Sequence, residues 1–179
     1  YPAEAFFGLQ PDFTSSIFIS IGRLVEKKGP MLTLLAFAKV LTEIPGARLV
    51  MVGDGPLRQQ CQWIIEGMNM GHAVEMKGAQ SGETVQELVN QSFCLVQHSI
   101  KAVDGNSEGT PGVVLEAGAA CLPVIATRHA GIPEVVVDGQ TGLLVEEGDI
   151  SAMAKAMVAL YKDRALCARM GEAARKRVR

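Results

Sequence analysis

Six short runs rich in β-formers alternate with helical stretches along this chain, and no other feature narrows its possible folds as much. Ile17–Ile21, Arg48–Val52, residues 73–77, 93–97 and 124–126, and Gly142–Val145 read as strands. Pro30 suits the first position of a helix, where its missing N–H costs nothing; Met31, Leu34, Leu35, Ala38 and Leu41 then give one apolar stripe, and Pro45-Gly46 ends it. A second helix is expected over 57–68. Ser81 is a suitable N-cap for a third reaching about Gln91, and Asp149 for one whose apolar face is Ile150, Met153, Met157 and Leu160. A last, basic helix is expected from about Asp163, as a solvated element or a docking surface for anionic lipid or another domain. Strands apolar on both faces need cover on both sides. The expected class is therefore α/β, a doubly wound, Rossmann-like parallel sheet of six strands with helices on both faces. Residues 1–16 lack a clear period and are expected to be a linker; residues 17–179 are expected to form one domain.

Sheets of this kind bind ligands at the carboxyl ends of their strands. The loops at 22–29, 53–56, 98–112 and 127–134 all follow strands, so they should gather at one rim. A net charge of −2 provides no field to recruit nucleic acid. The four cysteines are widely spaced without a CxxC pair, which favours buried thiols over a disulfide framework or a metal site. No leader peptide is evident, and no apolar run is long enough to span a bilayer.

The richest stretch is residues 108–123, EGTPGVVLEAGAACLP. A helix beginning near Pro111 or Gly112 would present free N–H groups from about Gly112 to Leu115, and with the positive end of its dipole these favour an anion. Glu108 precedes that turn, and Glu116 follows eight positions later, within what reads as the first turn. Carboxylates beside an anion site suit a ligand that has hydroxyls as well as phosphate, although an acid there also simply opposes the dipole. Arg23 and Lys28 share one glycine-bordered loop. An arginine fork and a compact ammonium suit a pyrophosphate, while basic residues are also ordinary in exposed loops. His98, read as ending the fourth strand at the rim, and His129 could each touch a ligand or cap a loop. Gly53-Asp54-Gly55-Pro56 is not a dinucleotide fingerprint, and there is no P-loop, HExxH or Gly-x-Ser-x-Gly elbow.

In this order the motifs Gly22-Arg23-Leu24…Lys28-Gly29, Val52-Gly53-Asp54-Gly55-Pro56, Glu108-Gly109-Thr110-Pro111…Glu116-Ala117 and Gly131-Ile132-Pro133-Glu134…Thr141-Gly142-Leu143 resemble the C-terminal domain of GT-B glycosyltransferases, most closely the retaining group 1, or family 4, enzymes. The resemblance runs from about Ile17 to the last helix. It implies a hexosyltransferase-type enzyme that moves a sugar from a nucleoside-diphosphate sugar to an acceptor with retention. It implies that Arg23, Lys28 and Glu108 serve catalysis: the cations neutralise the diphosphate and Glu108 contacts the donor sugar. Glu116 would hold the ribose, Gly22 would border the phosphates, and backbone of Gly109, Thr110, Pro111, Gly112, Val113 and Val114 would form the phosphate turn. The base would rest near Met76, Lys77 and Gly78. No metal ion or cofactor is implied. The partners implied are the nucleotide-sugar donor and an N-terminal acceptor domain that this chain does not supply, so the chain alone is expected to bind weakly and transfer nothing. Analogy further suggests surface-polysaccharide or glycolipid synthesis in the cytoplasm, with peripheral contact of the full-length protein at the inner face of the membrane. The competing readings are a non-catalytic nucleotide-sugar-binding module and another GT-B enzyme, such as a sugar-nucleotide epimerase.

Overall fold

The computed structural model describes residues 2–179. Six strands form one all-parallel sheet: β1 (Ile17–Ile21), β2 (Arg48–Val52), β3 (Val74–Gly78), β4 (Cys94–Val96), β5 (Val124–Thr127) and β6 (Gly142–Val145), in the order β3-β2-β1-β4-β5-β6. The helices are α1 (Pro30–Glu43), α2 (Arg58–Gly67), α3 (Gly82–Asn90), α4 (Gly112–Ala119), α5 (Ile132–Val135), α6 (Ile150–Lys162) and α7 (Arg164–Val178).

The two-residue period of the strands divides the core into two layers. Phe18, Leu49, Met51, Cys94 and Val96 face one side, under Leu34 and Phe37 of α1, Cys61 and Ile65 of α2, and Met153 and Met157 of α6. Ile19, Val50, Val52 and Leu95 face the other, with Leu88 and Val89 of α3, Val114 and Ala117 of α4, and Ile132 of α5. The middles of β1, β2, β4 and β5 are buried on both faces, as the apolar runs require. β3 is the exception. It is an edge strand whose Glu75 is exposed, so the expectation of strands apolar on both faces fails there.

Ser81 and Asp149 are the N-caps expected, accepting from the Thr84 and Ala152 N–H groups, and Asp163 caps α7 through the Leu166 N–H. The third strand starts one residue later than expected and takes in Gly78, and the fourth is trimmed to Cys94–Val96. The stretch expected to be a linker lies against the domain: a 3-10 turn at Pro2–Phe6 buries Phe6 in the second core layer. The basic helix α7 is less solvated than its composition suggests. Arg164 donates to the Phe13 and Ser15 carbonyls, Arg175 to Leu9 and Ala119, and Arg177 to Glu134 and Val135. Three of its five basic residues thus act as clamps on neighbouring backbone. Among the described residues, no helix is long and apolar enough to cross a membrane.

Candidate functional site

Strand order reverses between β1 and β4: the chain winds outward through β2 and β3, then returns to add β4 on the other side of β1. In doubly wound sheets the crevice for a ligand lies at such a reversal, outside the carboxyl ends of the strands. After β1 come Gly22 and an exposed Arg23, then a 3-10 turn over Glu26–Lys28. Gly29 closes that turn in the left-handed region at φ 59°, and a side chain there would run into the His98 carbonyl oxygen. The β1 loop is therefore pressed against the β4 loop. Two further bonds tie them: the Ile100 N–H donates to the Lys27 carbonyl, and the Val103 N–H to Glu26 Oε1 at 2.9 Å.

This docking brings Lys28 to Glu108. Lys28 Nζ lies 3.0 Å from Glu108 Oε1, and Lys27 Nζ 3.9 Å from the same oxygen. The Glu108 side chain is only 9% exposed, and Oε1 has no aligned hydrogen-bond donor among the described residues; the contact with Lys28 is one of charge. A cleft of ≈ 500 Å³ opens beside the pair, bordered by Gly22, Arg23, Lys27, Lys28, Asn106 and Val113. Gly22 and Arg23 also border a second cleft of ≈ 500 Å³ that reaches Gly53, Asp54, Ala79 and Gln80. Arg23 thus stands where the two meet.

The helix α4 points its leading end at this crevice. Gly109 and Thr110 are exposed, and Pro111 is extended and buried. The Gly112 and Val113 N–H groups have no protein acceptor among the described residues, whereas Val114 donates to the Pro111 carbonyl and buries its side chain in the core. The set of free amides is therefore narrower than the four expected. Glu116 is the fifth residue of α4, so it sits in the second turn rather than the first. Three positions after Val113, it shares the cleft-side face of the helix. Its half-buried carboxyl is pushed above the usual glutamate range by desolvation.

Other expected residues are dispersed. Met76 packs on the first core layer, and Lys77 pairs with Glu75 at 2.9 Å. Gly78 is at the rim, bridged to Gly53, just before the Ala79 and Gln80 that border the second cleft. His98 is not at an exposed rim: it is fully buried, its Nε2 accepts the Gly148 N–H at 2.8 Å, and its Nδ1 is 3.3 Å from Met153 Sδ. Of the two roles open to it, it fills the capping one, and burial lowers its pKa. His129 is also buried and accepts the Glu108 N–H through Nε2 at 3.0 Å. Lys27 and this His129 contact escaped sequence reasoning. The neighbouring basic residue was a visible hint of the first; only tertiary contact reveals the second.

A family model described as "Glycosyl transferases group 1" matches residues 3–177. The N-acetyl-alpha-D-glucosaminyl L-malate synthase of Bacillus anthracis is 36% identical over 165 residues, covering 92% of this chain and 41% of the relative. The amylovoran biosynthesis glycosyltransferase AmsK of Erwinia amylovora is 30% identical over 148 residues, covering 82% and 36%. The chain therefore spans well under half the length of these curated relatives. In fold it is similar to the crystal structure of Anabaena HepE in complex with UDP-glucose, with a TM-score of 0.81 at 20% identity over 92% of this chain and 44% of that one.

Proposed function

This chain belongs to the group 1 glycosyl transferases, and we propose that it is the donor-binding half of a retaining glycosyltransferase using a nucleoside-diphosphate sugar. The observation that supports this most is the meeting of Lys28, Lys27 and Glu108 beside the leading end of α4, at the point where strand order reverses. When the bond between sugar and diphosphate breaks, negative charge grows on the departing phosphate oxygen. Lys27, Lys28 and Arg23, with the Gly112 and Val113 amides, stabilise that charge in a site already arranged for it. Glu108 exchanges its lysine for the hydroxyls of the donor sugar, and Glu116 accepts from the ribose hydroxyls. The base lies in the second cleft, beside Gly78, Ala79 and Gln80. Amides and side chains supply the needed charge, so the scheme invokes no metal ion or cofactor.

The acceptor side of the cleft is proposed to come from another domain of a longer protein, in line with the share of its relatives that this chain spans. Surface-polysaccharide or glycolipid synthesis in the cytoplasm, at the inner face of a membrane, is the setting we propose; the amylovoran enzyme supports the polysaccharide part. Calorimetry with UDP-, GDP- and ADP-sugars tests the reading. One series should bind, and adding labelled donor and acceptor to the chain alone should give no sustained transfer. Failure of all three series to bind contradicts the donor-site reading, and sustained turnover contradicts the division of labour.

A further inference from the structure

We propose that His129 is a positioning residue for Glu108, setting the backbone of that acid and thereby the direction of its carboxylate. The proposal rests on the donor-site reading for its consequence but not for its geometry. The Glu108 N–H donates to His129 Nε2 at 3.0 Å. A backbone amide can only donate, so Nε2 must be unprotonated, and in the neutral ring the single proton is on Nδ1. Nδ1 lies 3.3 Å from Glu147 Oε1, which also accepts the Lys101 N–H at 2.6 Å. The ring is 3% exposed, so water does not substitute for either partner.

This short relay joins three loops. His129 follows β5, Glu147 follows β6, and Lys101 and Glu108 lie near opposite ends of the segment between β4 and α4. Glu147 holds the outgoing limb of that segment and His129 the returning limb. A second contact fixes the same turn: the Gly131 N–H donates to the Gly109 carbonyl at 3.0 Å. Glu108 is thus anchored on its main chain on one side, while its carboxylate faces Lys28 and Lys27 on the other. An acid that must exchange a lysine for sugar hydroxyls within one cleft needs a fixed backbone, because a shift of about 1 Å is enough to lose such a contact. His129 provides that fixity without touching the ligand.

Two amide substitutions separate the ring's two nitrogens. Glutamine places its terminal amide where Nε2 lies, so His129→Gln restores an acceptor for the Glu108 N–H. Asparagine matches Nδ1 only, so His129→Asn keeps the Glu147 contact and orphans the Glu108 amide. Hydrogen exchange of the Glu108 amide, followed by NMR, should show protection in the wild type and in His129→Gln. In His129→Asn that protection should fall roughly tenfold or more, the scale of one lost buried hydrogen bond. Affinity for a nucleotide sugar should follow the same order, while affinity for the matching nucleoside diphosphate, which lacks the sugar Glu108 contacts, should change less than about twofold. A purely structural role would weaken both ligands together and give no preference for Gln over Asn. Equal Glu108 protection in the wild type and His129→Asn overturns the proposal, whether or not any ligand binds. A wild-type chain that binds no nucleotide sugar overturns the donor-site reading instead, and the exchange measurement still decides the tether.

Discussion

Replacing Lys28 with methionine keeps most of the side chain's bulk and removes the cation nearest a carboxylate that solvent hardly reaches. Breaking a fully buried ion pair by deleting one partner costs about 3–5 kcal/mol, chiefly because the remaining charge is stranded. The Glu108 side chain is 9% exposed and the Lys28 side chain 20%, and Lys27 remains 3.9 Å from the same oxygen, so the full penalty does not apply. About 1–3 kcal/mol is the expected loss, or roughly 2–12 °C in Tm for a chain of this size. The converse change, Glu108→Gln, should cost less than about 1 kcal/mol, because the freed ammonium can swing on its stem toward water. The double variant should recover part of the Lys28→Met loss. Urea unfolding at pH 7, with the slope held common, measures all three. Binding of inorganic pyrophosphate should run the other way for the acid: tighter in Glu108→Gln, where Lys28 is no longer engaged, and weaker in Lys28→Met. If Glu108→Gln proves the more destabilising, or if both stay within about 0.5 kcal/mol of wild type, the stranded-carboxylate argument fails.

Burial raises the Glu116 carboxyl above its ordinary 4.5, so the folded state favours the neutral acid; its contribution to stability is full below that value and is lost as pH rises through the raised one. Glu116→Gln should therefore melt higher than wild type at pH 7 and match it near pH 4, while losing the preference for ribose over 2′-deoxyribose nucleotides; melting curves and paired titrations check both. His98 has the opposite sign: burial lowers its pKa from 6.5, so its contribution is present above that value and lost as pH falls through the lowered one. Wild-type Tm should fall more steeply on acidification than that of His98→Gln, whose amide can still accept the Gly148 N–H. Burial also pushes the Cys61 and Cys167 thiols up to about 11, while Cys121 is only partly buried; alkylation at pH 8 followed by mass mapping should mark Cys121 first and the others only with unfolding.

Much of the scaffold was legible because local rules and tertiary packing agree. β1, β2 and β6 have the bounds that their apolar runs suggest, and the Ser81 and Asp149 caps are where a side-chain oxygen precedes an amphipathic stretch. β3 was harder to delimit, because an edge strand can expose Glu75 and pair its closing Gly78 through a shifted register. Residue type and motif order single out the donor-site residues, and the fold brings Lys28 and Glu108 within 3.0 Å although 80 positions separate them. What the sequence could not disclose is which amides a turn leaves free, or that His98 and His129, alike in their loop positions, both spend their Nε2 on backbone amides. Those outcomes depend on the loops after β4, β5 and β6 meeting one another, and no local pattern encodes that.

The central claim, that a diphosphate rests between the leading end of α4 and the cations of the β1 loop, can be read residue by residue from amide NMR spectra as UDP-glucose, GDP-mannose and ADP-glucose are added in turn. The account predicts that one of them moves the Gly22, Arg23, Lys28, Gly112 and Val113 signals together, and that Lys28→Met suppresses the response. Shifts confined to residues away from these loops, or no shifts with any of the three, would contradict it.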